Sequence, residues 1–294
     1  MSRNNGKKIR LSKKWVNPLF WEIDKWAKDS RVAEVYVYGG KGSSKSWTLA
    51  QYVSLKGYTK NKSTLAFRKE SSRIKLTLKK TFKGAIESMR LKDCYEHLDF
   101  KFRGQGYEIS LTGLDDPEKA KGVEGFDYVL MDELNQFSKE EHEQVALSLR
   151  GKEGQILFGT WNPVSEDMWV KTELIDSEEW IEVDHTLPSP DSYVKVSSDG
   201  TKVLIKTDYR DNYWAVGSPC GTYGFVDDKL IKKYERLKTL NHHSWLVNVK
   251  GEWGQSQNEK PWLYDFKKDR HLICLLYTSP SPRDATLSRM PSSA

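Results

Sequence analysis

The chain has 294 residues, of which 37% are hydrophobic and 30% are charged. It is therefore long enough for one large core plus a smaller domain, and too polar for a membrane protein. No apolar run approaches the roughly 20 residues of a membrane span, and the N-terminus MSRNNGKKIRLSKK lacks the apolar stretch of a signal peptide. The three cysteines are far apart, which argues against a disulfide framework. We expect a soluble cytoplasmic protein.

The net charge of +6 is a mild basic excess, which is compatible with a polyanionic partner without requiring one. Basic residues concentrate in 1–14 and in 68–83, and the first cluster is expected to be a solvated arm. Four apolar residues recur within the second cluster: Ile74, Leu76, Leu78 and Phe82. Their spacing predicts a helix with a basic outer face, which is either solvated or in contact with phosphate or DNA.

Strand and helix patterns alternate through the first 165 residues, which predicts a mainly parallel sheet. The predicted strands are 35–38, 63–68, 107–114, 126–133 and 155–162. The predicted helices are 17–29, about 46–57, the basic stretch, and 139–150 with its start at Ser138. Because the strands are continuous apolar runs, both faces of the sheet should be covered by helices.

The character of the chain changes after Pro163. Residues 180–225 contain short strand-like runs among Asp, Ser, Pro, Tyr and Gly, and 226–240 predicts an amphipathic helix. The segment 243–254, HSWLVNVKGEWG, resembles a strand that returns to the main body. A small second subdomain is the simplest account of this part of the chain.

The predicted domains are a core over 1–185, a small linker subdomain with its return to the core over 186–272, and a tail over 273–294. The tail is rich in Ser, Pro and Arg and has no hydrophobic period, so it is predicted to be disordered. Its sequence also resembles translated adaptor sequence. We therefore expect the tail to be an artefact and the natural protein to continue past residue 273.

The segment 34–49, EVYVYGGKGSSKSWTL, has the layout of a phosphate-binding loop between a strand and a helix. The residues of the cradle would be Gly39, Gly40, Lys41, Gly42, Ser43, Ser44, Lys45 and Ser46. Lys45 would reach the outer phosphates, and Ser46 would bind Mg²⁺. The alternative is a plain Gly/Ser turn.

The usual pattern requires glycine where this chain has Ser44. Serine at positive φ costs about 1–2 kcal/mol, so the left-handed residues of the loop are expected at Gly39, Gly40 or Gly42 instead.

Nucleotide hydrolysis needs two carboxylates at a strand end next to such a loop. The strand VLMDE ends in Asp132, which would hold Mg²⁺, and Glu133, which would orient and deprotonate the attacking water. An acidic pair at the surface is the alternative. The next strand ends in Thr160 and Asn162, which would face the γ-phosphate and report its loss, unless they merely end the strand before Pro163.

An ordered set of motifs carries a family resemblance. The motifs are GGKGSSKS (39–46), FRK (67–69), LTGLDDPEKAKG (111–122), VLMDELNQF (129–137), FGTWNPVSEDMW (158–169), TDYRDNYW (207–214) and GEWG (251–254). Over about residues 15–272, this set resembles the large terminase subunit of tailed bacteriophages, the motor that packages DNA into the procapsid. Serine at position 44 resembles a variant loop within that family.

The resemblance implies an α/β P-loop NTPase fold of the additional-strand type, with a mainly parallel sheet between helices and a small second subdomain. It also implies ATP and Mg²⁺ as cofactors, with Lys45 and Ser46 on the phosphates and metal and Asp132 as the metal carboxylate. Glu133 matches the catalytic glutamate, and Thr160 with Asn162 matches the coupling motif.

The resemblance also bears on cationic residues of the motor. Lys41 stands where many of these motors have an arginine in the loop. Lys121, in the AKG segment, stands where some relatives place an arginine that reaches into a neighbouring subunit's site. Lysine keeps the charge but lacks the planar fork of arginine, which argues against a trans-acting finger at Lys121. Arg68 is then the remaining candidate for the arginine finger.

The partners that the resemblance implies are double-stranded viral DNA, the portal protein, the small terminase subunit and further copies of the chain in a ring on the procapsid. The location would be the host cytoplasm, with no membrane contact. Full-length relatives continue into an RNase H-like nuclease, whose first strand would fall just after Ile273. We therefore predict no nuclease activity from this polypeptide.

Two alternative functions stay open. The chain could be a nucleotide-dependent module that binds DNA or the portal protein without turnover when isolated. It could also be a helicase of the same phosphate-loop class, although the NP and GEWG motifs argue against this by resemblance.

Overall fold

A sheet of ten strands organises the chain in a computed structural model, which describes residues 11–114 and 122–254. The strands are β1 (Glu34–Gly39), β2 (Thr64–Arg68), β3 (Glu96–His97), β4 (Lys101–Arg103), β5 (Glu108–Gly113), β6 (Tyr128–Asp132), β7 (Ile156–Trp161), β8 (Trp180–Val183), β9 (Tyr193–Ser197) and β10 (Lys202–Thr207). The α-helices are α1 (Pro18–Trp26), α2 (Lys45–Lys60), α3 (Leu78–Ser88), α4 (Lys139–Ser148), α5 (Trp169–Thr172), α6 (Tyr213–Val216), α7 (Asp228–Leu240) and α8 (His242–Trp245).

The strand order is β3-β4-β5-β2-β6-β7-β1-β10-β9-β8. The six strands from β5 to β10 in this order run parallel to one another, and the pairs at both edges are antiparallel. β7 lies between β1 and β6, which is the additional-strand arrangement. The prediction of a mainly parallel sheet is confirmed.

Both faces of the sheet are buried under helices, as the continuous apolar strands predicted. Val35 and Val37 of β1 point into one apolar cluster, which also contains buried residues of α1, α2 and α3. Tyr36 and Tyr38 of the same strand point into a second cluster, which includes residues of α4 and α5. Alternate side chains of one strand therefore hold the two helical layers.

The predicted strands over 35–38, 63–68, 107–114, 126–133 and 155–162 are confirmed with shifts of one or two residues at their ends. The helix predicted to start at Ser138 does so with a reciprocal capping box, in which Ser138 and Glu141 cap each other's backbone. The short strands β3 and β4 were not predicted.

The prediction of a returning strand over 243–254 is wrong. These residues form α8 and a π-helical turn, Leu246–Lys250, in which Val247 and Val249 are buried. The alternation of apolar residues resembled a strand, but β1 already has β7 on one side and β10 on the other. The segment therefore packs on the end of β1 rather than beside it.

The stretch assigned to a small subdomain begins within the same sheet. β9 and β10 lie beyond residue 185, and β10 pairs in parallel with β1 over six residues. This pairing joins residues 168 positions apart, Glu34 with Lys202, so no local pattern reveals it. Among the described residues, no helix is both long and apolar enough to cross a bilayer. The predicted tail over 273–294 lies outside the described residues.

Candidate active site

The predicted phosphate loop joins β1 to α2 at the carboxyl end of the parallel sheet. Gly39 and Gly42 have positive φ angles of 149° and 82°, as expected, but Gly40 does not. Ser44 has φ 63° and ψ 19°, so the expectation that serine would avoid the left-handed region is wrong. Ser44 occupies the position immediately before Lys45 where the usual motif has glycine.

Side-chain hydrogen bonds offset the cost of the left-handed Ser44. Asn17 Nδ2 donates to Ser44 Oγ at 2.7 Å, and Ser44 Oγ lies 3.1 Å from Thr48 Oγ1 on the first turn of α2. Each hydrogen bond contributes about 1 kcal/mol, which is comparable to the backbone penalty. A glycine would have no side chain to make these bonds.

Two glycines of the loop are required because other backbone segments pass close by. A Cβ atom on Gly39 would lie 1.7 Å from the carbonyl oxygen of Thr207. A Cβ atom on Gly40 would lie 2.0 Å from the carbonyl oxygen of Val249. The loop therefore lies against the end of β10 and against the π-helical turn, with no room for a side chain between them.

Lys45 points inward and is almost fully buried. Its Nζ lies 2.9 Å from the carbonyl oxygens of Gly39 and Gly40, 3.0 Å from Ser43 Oγ and 3.0 Å from Asn162 Oδ1. Burial lowers the pKa of Lys45 from 10.5 to about 7, although the nearby carboxylate of Asp132 opposes this shift. An anionic group at this end of the loop would restore the charged form.

Asp132, at the end of β6, accepts hydrogen bonds from three other elements. Ser46 Oγ donates to Asp132 Oδ1 at 2.6 Å, and Thr160 Oγ1 donates to the same oxygen at 2.8 Å. Arg68 Nη1, at the end of β2, pairs with Asp132 Oδ2 at 2.5 Å. Parallel strands bring these three strand ends together, so Asp132 and the loop form one cluster.

Glu133 follows Asp132 in a left-handed conformation, with φ 59°. Arg68 Nη2 pairs with Glu133 Oε2 at 2.6 Å, and Gln136 Nε2 donates to the same oxygen. Arg68 is 6% exposed, and its guanidinium pairs with both carboxylates, which belong to its own chain. This placement suits a positioning residue in cis and does not present Arg68 to a neighbouring subunit.

Residues that the sequence did not single out support the loop from the opposite side. Asn17 Nδ2 also donates to Asn212 Oδ1, and Asn212 Nδ2 donates to the carbonyl oxygen of Gly42 at 2.8 Å. The hydroxyl of Tyr234 donates to the carbonyl oxygen of Lys41 at 3.0 Å. Asn212 belongs to the quoted motif TDYRDNYW, but nothing local assigns it a partner 170 residues earlier.

A cavity of about 800 Å³ opens beside the loop. Among the predicted site residues, those that line it are Lys41, Gly42, Ser43, Ser44, Lys45, Ser46, Asp132, Glu133, Thr160 and Asn162. Large aromatic side chains also line it, among them Trp15, Trp47, Trp214 and Phe225. The cavity thus combines polar and aromatic lining residues, and its volume is in the range of small-molecule sites.

The remaining predicted residues have separate positions. Gly39 and Gly40 lie behind the loop against the later backbone segments, and Arg68 lies behind the two carboxylates. The side chain of Lys41 is exposed at the rim. Lys121 lies outside the described residues.

A family model described as the phage terminase large subunit matches residues 31–252, which is most of the chain. The chain belongs to the phage terminase large-subunit family. The family predicted from the motifs is confirmed.

Individual relatives of this terminase family agree with the match. The chain is 23% identical over 246 residues to the PBSX phage terminase large subunit of Bacillus subtilis (strain 168), which covers 82% of the chain and 53% of that protein. The large terminase of a thermophilic bacteriophage has a similar fold, with a TM-score of 0.58 at 14% identity over 81% of this chain and 54% of that one. The chain thus has the P-loop NTPase fold of a terminase.

A second structure of the same thermophilic-phage terminase, in complex with ATP-gamma-S, has a TM-score of 0.55 at 14% identity and covers 81% of this chain and 53% of that one. The chain spans about half the length of these relatives.

Proposed function

We propose that this chain is the ATP-hydrolysing motor part of a terminase that drives double-stranded viral DNA into the procapsid. The observation that carries the proposal is the cluster at the carboxyl end of the sheet. There, the buried Lys45, the pair Ser46–Asp132 and the carboxylate of Glu133 surround one cavity. A likeness to the thermophilic-phage terminase that was solved with ATP-gamma-S supports the choice of nucleotide.

The proposed triphosphate would lie along the loop, where backbone N–H groups and the start of α2 favour anions. Lys45 would exchange its contacts with loop carbonyls for the outer phosphates, and the phosphates would restore its charge. The aromatic lining residues Trp15, Trp47, Trp214 and Phe225 are suited to pack against the base. This arrangement agrees with a nucleotide between the loop and the entry segment, from which Lys14, Trp15 and Asn17 line the cavity.

The residues at the loop fit Mg²⁺. Ser46 Oγ and Asp132 Oδ1 are 2.6 Å apart, and Mg²⁺ prefers oxygen ligands, usually one or two carboxylates together with waters and substrate phosphates. Ser46 and Asp132 would hold the ion. When bound, Mg²⁺ would neutralise charge that develops on the phosphates during transfer.

Glu133 would act as the general base that orients and deprotonates the attacking water. To do so, its carboxylate must be released from Arg68 and Gln136. Thr160 and Asn162 would couple loss of the γ-phosphate to movement, because Thr160 contacts Asp132 and Asn162 contacts Lys45. Lys41, exposed at the rim, would add positive charge near the phosphates.

The proposal extends to the context of the motor. We expect the chain to act as a ring of copies on the procapsid, with the portal protein and the small terminase subunit as partners, in the host cytoplasm. The small linker subdomain is proposed to move against the core, since Asn212, α7 and the π-helical turn contact the loop without belonging to the sheet.

The test is DNA-stimulated ATP hydrolysis by the purified chain and two variants. Lys45→Ala should lose nucleotide binding and turnover together. Glu133→Gln should retain binding of a fluorescent ATP analogue and lose turnover by about 10²–10⁴-fold, the usual contribution of a general base. Wild-type rates in either variant would contradict these roles.

One observation favours the second candidate, a binding module without turnover. Arg68 and Gln136 both bind Oε2 of Glu133, so this oxygen of the proposed base is occupied in the isolated chain. ATP binding and hydrolysis measured at rising protein concentration separate the two candidates. Binding that saturates while the rate per chain stays at zero, even at high concentration, would support the module.

A further inference from the structure

Helix α7 carries a row of exposed cations. The four side chains are Lys229, Lys232, Lys233 and Arg236. At 3.6 residues per turn, they occupy about 100° of the helix circumference. Across residues 11–114 and 122–254, none of the four makes an ion pair. No acidic or apolar residue lies within this row between its first and last members.

The basic stretch that stood out in the sequence is different. Its cations are mostly neutralised: Arg68 pairs with Asp132 and Glu133, Lys69 with Glu141, Arg73 with Glu70, and Lys75 and Lys79 with Asp99. Lys80 and Lys83 remain exposed on α3 without such a partner in the described residues. Unpaired positive charge is therefore more concentrated on α7 than on the stretch with more basic residues.

The opposite side of α7 reaches the phosphate loop. Tyr234 is 7% exposed, and its hydroxyl donates to the carbonyl oxygen of Lys41 at 3.0 Å. Its ring packs edge-on against Tyr209, with centroids 5.0 Å apart. A Cβ atom on Gly42 would lie 2.7 Å from the same hydroxyl, so Tyr234 also contacts the next residue of the loop. A shift of α7 would therefore move the loop.

We propose that the cation row of α7 binds the phosphate backbone of duplex DNA and that Tyr234 transmits this binding to the phosphate loop. The inference rests on the proposed ATPase function for its second part, whereas DNA binding by the row stands alone. Lysine and arginine bind backbone phosphates through charge, with release of counterions. A protein partner would instead require apolar or aromatic anchors at the centre of its contact surface, which the row lacks.

The binding part is tested on the full chain without nucleotide, by anisotropy of a labelled duplex of arbitrary sequence at several salt concentrations. Lys232→Gln/Lys233→Gln should weaken binding about tenfold at low salt, and the slope of log K against log salt should become shallower by about two. The matched control is Lys80→Gln/Lys83→Gln, which removes the same charge from another exposed helix. The control should bind as the wild type does.

Equal losses in both double variants would overturn the proposal, because the effect would then be net charge rather than a site. An unchanged Lys232→Gln/Lys233→Gln variant would also overturn it. Poly-glutamate serves as the acidic-polypeptide probe. If it displaces the duplex at equal charge concentration and equal salt, the row is a protein-binding surface instead.

The transmission part uses Tyr234→Phe, which keeps the ring and removes only the hydroxyl. DNA affinity should be unchanged, while the ratio of ATPase rates with and without DNA should fall towards one. A preserved ratio would overturn transmission through Tyr234. If the wild-type chain hydrolyses no ATP under any condition, the proposed function fails, and the anisotropy experiment still decides whether the row binds DNA.

Discussion

The phosphate loop is held from two sides by different kinds of contact. On the sheet side, charged and hydroxyl groups from the ends of β2, β6 and β7 contact one another and the loop, with Asp132 at their centre. On the far side, neutral side chains and backbone carbonyls contact it, as Asn212, Tyr234 and Val249 illustrate. The proposed chemistry thus belongs to the sheet side, and the contacts on the far side limit where the loop can lie.

The largest expected effect is on the sheet side. Arg68→Ala leaves two buried or half-buried carboxylates without their shared cation, and removing one partner of a buried pair costs about 3–5 kcal/mol. We expect the midpoint of urea unfolding to fall accordingly at neutral pH. ATP hydrolysis should also fall, because Arg68 orients both Asp132 and Glu133.

Arg68→Lys sharpens this prediction, because it keeps the charge and removes the two-pronged geometry. It should recover part of the stability but not the hydrolysis rate. If Arg68→Ala is as stable as the wild type, the sheet side does not depend on the ion pairs described here.

On the far side, Gly40→Ala is the sharpest probe. The new Cβ would lie 2.0 Å from the carbonyl oxygen of Val249, so either the loop or the π-helical turn must move. Overpacking of this kind costs about 1–3 kcal/mol, and nucleotide affinity should fall because the loop is displaced. Affinity is measured by fluorescence titration of an ATP analogue.

The matched control is Gly122→Ala, since a Cβ atom there meets nothing within 4 Å. It should leave both stability and affinity unchanged. A Gly40→Ala variant with wild-type affinity would mean that the π-helical turn can move aside without displacing the loop, so the far side would not fix the loop.

The smallest expected effect is the uptake of a proton by Lys45 when nucleotide binds. Because the pKa of Lys45 is lowered to about 7, this side chain is largely neutral at pH 8, and bound phosphates should raise its pKa again. Nucleotide binding at pH 8 should therefore take up a fraction of a proton, measured by calorimetry in two buffers with different ionisation enthalpies. No proton uptake by the wild type on nucleotide binding would contradict a neutral Lys45.

The same shift has a defined sign for stability. Between pH 7 and the usual pKa of 10.5, the unfolded chain holds a proton on Lys45 that the folded chain has lost. The contribution of Lys45 to the free energy of unfolding thus rises with pH across this window.

The sequence predicted the sheet side well and the far side poorly, for a physical reason. Phosphate and metal chemistry restricts the residue types allowed at Lys45, Ser46 and Asp132, and their position at strand ends follows from local patterns. The parallel core strands were likewise predictable, since each is a continuous apolar run.

The far side is built from contacts between segments that are distant in the chain. Many of these contacts use backbone carbonyl groups, which every residue type has. Nothing in the sequence near Val249 indicates that its carbonyl oxygen will lie next to Gly40. The apolar alternation around Val249 predicted a strand, where the structure has a π-helical turn. Ser44 shows the same limitation, because its left-handed backbone is supported by Asn17, which lies 27 residues away. The paired charges of the basic stretch were equally invisible in a linear reading.

The position of β1 between β7 and β10 also has a consequence for the order of folding during synthesis. The loop follows β1 directly, but its supports at Thr207 and Val249 leave the ribosome about 160 to 210 residues later, which at 5–20 residues per second is roughly 10–40 s. During that interval, the glycines of the loop have nothing to lie against. The nascent chain therefore cannot acquire a finished nucleotide site before the π-helical turn has emerged, however early the central strands pair.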